Sequence, residues 1–464
     1  MRDSGRGVPV GSGMIDRSQR EALWVFREQV YGSLGRRRDA LFELLDALLL
    51  AGAVPSFVHL SLTALFRRGW GSAYDALAAG KMDADWLREI VTSYPLDDGQ
   101  PIYALDTSVW PRNDAETSPE RGFYHSSSRQ SAGQPIVAGW AYAWLAQLSF
   151  THDSWTAPLA VRRVPVSGGD GHTVAAAQIR DLLRQRAAYG RVPVCVFDAG
   201  YDIGTLARAL GELDGTQVAV LVRLRGDRCF YAEPTIQQKL GRPRRHGPKL
   251  ACKDERTWWA PTAEHAEEHA QYGHVRVRAW ADIHAKVQHR PTPGHRRQTW
   301  PVLHGTLVLV EVARLPRQTR IPKRLWLWWR GPGEPDLAVL WRAYVRRFDL
   351  EHTFRFCQQT LHWTMPRVRT PEQADRWTWL VLLAYTQLRL ARRFAADRRL
   401  PWQPTQRPQR ATLTPARVRQ GFPELRAWLG TPTTAPKPCG RSPGRPTGRR
   451  SEPAPRYPAL KKTA

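Results

Sequence analysis

Apolar residues recur at spacings of three and four near the start of the chain, at Leu23, Phe26 and Val30 and again at Leu41, Leu44, Leu45 and Leu48. That spacing lines one face of a helix and predicts helices over residues 17–50 and 56–67, with shorter ones between 73 and 91. The run Tyr94-Pro95-Leu96-Asp97-Asp98-Gly99 then breaks the pattern with turn residues. From residue 100 the period changes. Strands are predicted at 102–105, within 136–150 and at 157–166, followed by a helix over 173–189 with Gly190 as its stop. A buried-type strand at 192–197, a helix at 203–210 and a strand at 217–224 complete a β-β-β-α-β-α-β order. Further strands are expected at 275–279, 306–312 and 325–329, and helical text returns over 336–361 and 372–394.

These patterns divide the chain into an all-α segment (1–99), the first part of an α/β core (100–224), a β-rich insertion (225–330), the second part of the core (331–400) and a tail (401–464). The Gly-rich residues 1–15 are expected to be disordered, and so is most of the proline- and arginine-rich tail. The all-α segment reads equally well as a DNA-binding unit or as a buttress, since no helix-turn-helix spacing is visible.

Charge narrows the choice of partner. The 464 residues carry 69 Lys+Arg against 42 Asp+Glu, a net charge of +27, with arginine far outnumbering lysine. A polyanion is the natural partner, and the planar guanidinium fork suits phosphate. Basic loops such as Arg242-Pro243-Arg244-Arg245 and the tail are placed to touch phosphates without reading sequence. The five cysteines, Cys195, Cys229, Cys252, Cys357 and Cys439, form no Cys-x-x-Cys pair, which argues against a disulfide framework or a zinc ribbon. No apolar run reaches the ~18 residues of a membrane span, and no signal-peptide core opens the chain, so a soluble cytoplasmic protein is expected.

Two aspartates end apolar strands: Asp106 after Tyr103-Ala104-Leu105, and Asp198 after Val194-Cys195-Val196-Phe197. A carboxylate at the C-terminal end of a central strand is held where ligands bind, although a turn or capping role would explain either one alone. A third acid, Glu351, shares a helical face with Tyr344, Arg347 and Arg355, where simple i, i+4 ion pairing is the plainer alternative. Three hard oxygen donors of this kind suit a pair of Mg²⁺ ions, with Mn²⁺ as a substitute, acting on a phosphodiester bond. Asp114, Glu116 and Asp202 lie close in sequence to these residues but in loops, and His125 and His352 have no placement that suggests a shared site.

The strand-borne Asp106-Thr107-Ser108-Val109-Trp110-Pro111, the strand-borne Asp198 and the Tyr344-x-x-Arg347-x-x-x-Glu351 helix resemble the DDE transposases of bacterial insertion sequences. The resemblance spans roughly residues 103–390. It implies a ribonuclease H-like catalytic core, interrupted by a β-rich subdomain that helps hold transposon ends. It further implies metal-dependent DNA cleavage and strand transfer by Asp106, Asp198 and Glu351, with Tyr344, Arg347 and Arg355 on the DNA-binding face. The partners implied are terminal inverted repeats and target DNA, engaged by a homodimer in the synaptic complex of a bacterial, nucleoid-associated protein. Where the family carries a Lys seven residues after the Glu, this chain has Gln358, which alters one phosphate contact. In the insertion, Trp326 and Trp328 share a strand face and could stack on an unpaired base or pack in a core. A nuclease of the same fold without strand transfer, and a catalytically silent DNA-binding derivative, are the alternatives.

Overall fold

Leu23, Phe26 and Val30 line one side of the first helix, α1 (Val10–Ser33), and Leu41, Leu44, Leu45 and Leu48 line the second, α2 (Arg38–Leu50); all are buried. The structure is a computed structural model. It describes residues 10–52, 56–96, 101–125, 136–186, 191–213, 215–234, 245–285, 302–315, 324–403 and 412–461, the last range without 439, 441–443, 445 and 449–451. The helix stop expected at Gly190, the basic residues Arg242, Pro243 and Arg244, and Cys439 lie outside the described residues. Because α1 begins at Val10, part of the stretch expected to be disordered is helical.

After α2 come α3 (Phe57–Ser61), α4 (Trp70–Ala79), α5 (Ala84–Thr92), β1 (Ile102–Pro111), β2 (Gly122–His125), β3 (Ile136–Gln147) and β4 (Ala157–Val164). Then follow α6 (Gly171–Arg186), β5 (Val194–Phe197), α7 (Ile203–Leu210), β6 (Ala219–Leu224), β7 (Cys229–Tyr231) and β8 (Lys249–Ala251). Next are β9 (Ala263–His269), β10 (Gly273–Ala285), β11 (His304–Val312) and β12 (Arg324–Arg330), and last α8 (Leu337–Arg346), α9 (Phe348–Gln359), α10 (Pro371–Ala391) and α11 (Pro415–Leu429). The fold is thus mixed α/β. No helix among the described residues is long and apolar enough to cross a membrane.

The chain divides into two compact units. One, the helical unit, comprises Met1–Gly99, Thr107–Asp170 and Asp349–Ala464; the other, the sheet unit, comprises Gln100–Asp106 and Gly171–Phe348.

In the helical unit α10 forms the centre. Thr370 and Gln373 make a reciprocal capping box at its start, Pro371 occupies the first turn, and the residues from Trp377 to Arg389 are buried without a break. Helices α1, α2, α4 and α11 and strand β4 pack around it. A helix apolar on every side needs such a sleeve. The packing sets the N-terminal helices α1, α2 and α4 against this helix. At the junction of four helices Arg27 donates to Asp46 Oδ1 at 2.6 Å and to Gln387 Oε1 at 2.7 Å, and Arg426 Nε donates to Asp46 Oδ2 at 2.7 Å.

Arg426 belongs to α11, which overturns the expectation of disorder for this part of the tail. Val418, Phe422, Leu425 and Leu429 repeat at helical spacing and are buried, behind Thr414 at the N-cap and Pro415 in the first turn. Farther on, the Tyr457 N–H donates to Glu116 O and the Leu460 N–H to Arg121 O, both at 2.7 Å, and Arg121 returns a bond to Tyr457 O.

The sheet unit is built outward from parallel pairs. The first residues of β1 pair with β5, and β5 pairs with β6, both parallel. The sheet then turns antiparallel through β6-β12-β11-β10, with β7 and β9 on β10 and β8 on β7. The strands of the expected insertion therefore continue the sheet from β6. Their buried face is aromatic, with Phe230, Trp280, Trp326 and Trp328 in one cluster with Leu250, Leu307 and Leu309. Strand β9, Ala-Glu-His-Ala-Glu-Glu-His, carries exposed Glu264 and Glu268, charges of the kind that blunt a sheet edge.

Candidate active site

Ile102, Tyr103, Ala104 and Leu105 are buried and anchor β1, so Asp106 leaves the core on a rigid stem. The buried Cys195, Val196 and Phe197 do the same for Asp198. The pairing of the two strands is parallel and in constant register: Ile102 faces Val194, Tyr103 faces Cys195 and Ala104 faces Val196. Asp106 follows Ala104 by two residues within β1, and Asp198 follows Val196 by two, one residue past the end of β5. Neighbouring strands lie about 4.7–4.9 Å apart, and both aspartates follow the same end of the β1–β5 ladder, an acidic edge of the sheet.

Each aspartate has a defined partner. Arg347 Nη1 donates to Asp106 Oδ2 at 2.8 Å; its side chain is 4% exposed and that of Asp106 17%. The guanidinium also lies 5.8 Å from the Tyr344 ring and 5.6 Å from the Phe348 ring, which fixes its plane. Burial raises the Tyr344 phenol above its ordinary value and keeps it neutral. The helical text expected to be continuous is divided here. At Arg347 the N–H is shared between Ala343 O and Tyr344 O, each at 3.2 Å, which tightens the last turn of α8 before α9 starts.

Asp198 Oδ1 accepts the Gly200 N–H at 2.9 Å, and Asp198 O accepts the Tyr201 N–H at 3.3 Å. The turn role weighed for this residue is therefore real, and it orients the carboxylate. Asp202 accepts from the Thr205 N–H as the N-cap of α7, and its own N–H donates to His172 Nε2 at 2.9 Å. His172 packs edge-on against Tyr201, which tilts against Phe197. His172 and Tyr201 were not legible as site residues, since only the folded loop brings α6 to the end of β5.

In the helical unit, α9 buries Leu350, Thr353, Phe354 and Cys357. Thr353 Oγ1 lies 2.8 Å from Thr156 Oγ1 and 3.2 Å from the Tyr385 hydroxyl, and the Phe354 ring packs edge-on against Trp144. The opposite side of α9 carries Glu351, Arg355 and Gln358 at spacings of four and three, with Arg355 exposed and the other two half-buried. Gln358 Nε2 donates to Ser108 Oγ at 3.1 Å. Asp106, Asp198, Tyr344 and Arg347 thus belong to the sheet unit, and Glu351, Arg355 and Gln358 to the helical unit.

Trp326 and Trp328 are buried. Trp326 packs against Trp258 and Trp280, and Trp328 stacks on Phe230 with ring centroids 5.1 Å apart. Core packing accounts for both rings, and neither has a face open to a base. Among the nearby acids, Asp114 faces Arg367 and Glu116 faces Arg456 in exposed ion pairs. The described cysteines are all free, and burial raises the thiols of Cys195, Cys252 and Cys357, which suits packing and not chemistry.

The family described as DDE superfamily endonuclease matches residues 29–287, more than half of the chain, and the chain belongs to that family. The matched stretch contains Asp106 and Asp198 and ends before Glu351. No curated protein matches the chain. Membership makes DNA the substrate class and a divalent metal ion the expected helper. The donor set of the acidic edge fits such an ion. Two carboxylates past one end of the β1–β5 ladder supply hard anionic oxygens, and Asp106 holds a guanidinium.

Proposed function

We propose that this DDE superfamily endonuclease is a transposase, which binds the ends of a mobile element and cuts and joins DNA strands. The observation that carries the reading is that Asp106 and Asp198 each lie two residues past the last paired residues of the β1–β5 ladder, inside the region of family match. The parallel β1-β5-β6 centre, with α6 and α7 adjoining it, is consistent with a ribonuclease H-like core. Glu351 is proposed as the third acid, and the three carboxylates as the holders of two Mg²⁺ ions. When bound, such ions activate the attacking oxygen and stabilise the leaving one.

The chain's own residues have separable tasks in this reading. Asp106 and Asp198 supply charge at fixed positions, the first oriented by Arg347 and the second by the Gly200 amide. Tyr344 packs beside Arg347 and holds it in place. Arg355 and Gln358, next to Glu351 on α9, are proposed to meet phosphate oxygens, Arg355 by charge and Gln358 by its amide. The net charge of +27 favours binding to the DNA backbone at large and predicts a steep dependence on salt. Joining two element ends calls for two copies of the chain, so a homodimer is the proposed working form.

The experiment is a cleavage assay on DNA bearing candidate inverted ends, with Mg²⁺ and then Mn²⁺, which scores nicked and joined products separately. Joined products establish a transposase. Nicks without joining would leave a nuclease of the same fold, and end binding without either would leave a silent derivative.

A further inference from the structure

The sheet unit contains a second group of ligand-type side chains, formed where β7, β10 and β11 meet. In the ladder His284 of β10 faces His304 of β11 on one side and Tyr231 of β7 on the other. Glu233 follows Tyr231 by two residues. Its Oε1 lies 3.2 Å from His304 Nε2 and 3.8 Å from His284 Nδ1, and the three donor atoms lie within 4.8 Å of one another. From this geometry we infer a transition-metal site of the Zn²⁺ class, with Glu233, His284 and His304 as ligands, separate from the acidic edge at Asp106 and Asp198.

The buried imidazole decides between a metal and plain hydrogen bonding. The His284 side chain is fully buried, and its Nδ1 has no hydrogen-bond partner. Its other nitrogen, Nε2, lies 2.9 Å from His246 Nδ1. A separation of 3.8 Å is too long for Nδ1 to donate to Glu233, so a proton on Nδ1 leaves it unsatisfied. With the proton on Nε2, donated to His246, the Nδ1 lone pair faces a carboxylate, an arrangement that a cation between them would relieve. A ligating histidine whose second nitrogen donates to a fixed partner is the usual outer-shell arrangement of metal sites.

The dimensions also agree. Bonds of about 2.0–2.1 Å in a tetrahedral site place ligand atoms about 3.4 Å apart, between the two distances to Glu233. Imidazole nitrogens select zinc and its neighbours over Mg²⁺. Glu233 and His304 are half-exposed, which leaves an entry path and a fourth position for water. The wall opposite is built for closeness. The Gly247 N–H donates to Ala232 O at 2.8 Å, and a Cβ at Gly247 would come within 2.2 Å of Glu233 O, so the segment bearing His246 lies directly on the ligand strand. The bound ion would tie the end of β7, joined to β10 by only two residue pairs, to the longer β10–β11 ladder.

The test uses the full chain in an Asp106→Asn, Asp198→Asn background, so that ions at the acidic edge do not count. Zinc content after dialysis, visible absorption of bound Co²⁺ and melting with and without Zn²⁺ are measured. One tightly held Zn²⁺ per chain and a Zn²⁺-dependent rise in Tm are expected. Loss of an outer partner costs 10–100-fold in affinity, so His304→Ala and Glu233→Gln should each weaken binding by about 100-fold or more, and His246→Ala by about 10-fold. Both ligand variants sit at the surface, and their metal-free melts should match that of the parent. Absence of Zn²⁺ from the parent, or equal Zn²⁺ in the parent and both ligand variants, would overturn the site. Neither result bears on strand cleavage.

Discussion

Each unit sets an aspartate against arginine, and the two pairs are of different kinds. Asp46, in the helical unit, is 1% exposed and receives Arg27 on both oxygens and Arg426 on Oδ2, with Gln387 completing the cluster. Asp106, in the sheet unit, has Arg347 on Oδ2, retains 17% exposure, and stands in β1 two residues past the last residue paired with β5. A charge matched on every side in the interior is committed to holding elements together, since loss of either partner strands the other. A charge that keeps exposure past the end of a ladder can still be reached by a ligand. Burial and placement, and not the ion pair itself, separate structure from chemistry.

Removing charge from the edge should break that contrast most visibly. Asp106→Asn, Asp198→Asn and Glu351→Gln are expected to lower Mg²⁺-dependent nicking by about three orders of magnitude or more, while thermal melts stay close to wild type. If Asp106→Asn melted as badly as a variant at Asp46, the edge would be structural and the contrast would vanish.

The next largest effect lies at the buried cluster. Asp46→Ala should destabilise the fold by about 3–5 kcal/mol, read from the urea midpoint, because two guanidinium groups are left facing each other. Nicking per folded molecule should be unchanged. Truncation at Pro401 removes Arg426 and α11 and should fail in the same way, with a loss of stability that a tail acting only on DNA phosphates would not cause.

A smaller effect is expected at Gln358. Gln358→Lys gives up the bond to Ser108 but adds a charge beside Glu351, and should tighten end binding a few-fold while steepening the log-log salt slope by about 1. An unchanged slope would place position 358 away from phosphate.

The smallest concerns pH. Burial lowers the His362 pKa below its ordinary 6.5, and the ring bonds to Gly52 O at 3.2 Å. As pH falls through 6.5 the unfolded chain takes up a proton that the folded chain still refuses, so stability declines until the lowered folded value is passed. His362→Asn tolerates the left-handed backbone there, φ 54°, and should flatten this part of the stability profile between pH 7 and 5. A slope equal to wild type would assign the loss to other groups, such as His269.

Much of the architecture was legible because apolar text of one period leaves few alternatives. Helix α7 falls at residues 203–210 as the pattern implies, and Asp198 follows β5 as expected, whereas β1 continues past Asp106 to Pro111, so that aspartate ends the buried run and not the strand. What escaped notice did so for physical reasons. The stripe of α11 is thin and set among proline and arginine, so composition concealed a helix that only tertiary packing stabilises. Strand β9, Ala-Glu-His-Ala-Glu-Glu-His, lacks β-branched residues and owes its form to its pairing with β10. Strands β7 and β8 are three residues each, too short for a period to show. The division of the helix at Arg347 left no mark either, because an arginine turning toward Asp106 reads like any helical arginine. Glu233, His284 and His304 fit no spaced motif, since hydrogen-bonded strands, and not a loop of fixed length, bring them together.

The constant register of β1 and β5 also governs which changes in chain length a lineage carrying this fold can absorb. Extra residues between Arg186 and Val194 leave the ladder as it is, because pairing sets the register and not the length of the connection. A single residue gained or lost between Ile102 and Asp106, or between Val194 and Asp198, reverses parity and turns one carboxylate to the opposite face of the sheet. The acidic edge therefore rests on two five-residue words whose length is frozen, joined by a connection whose length is free to drift.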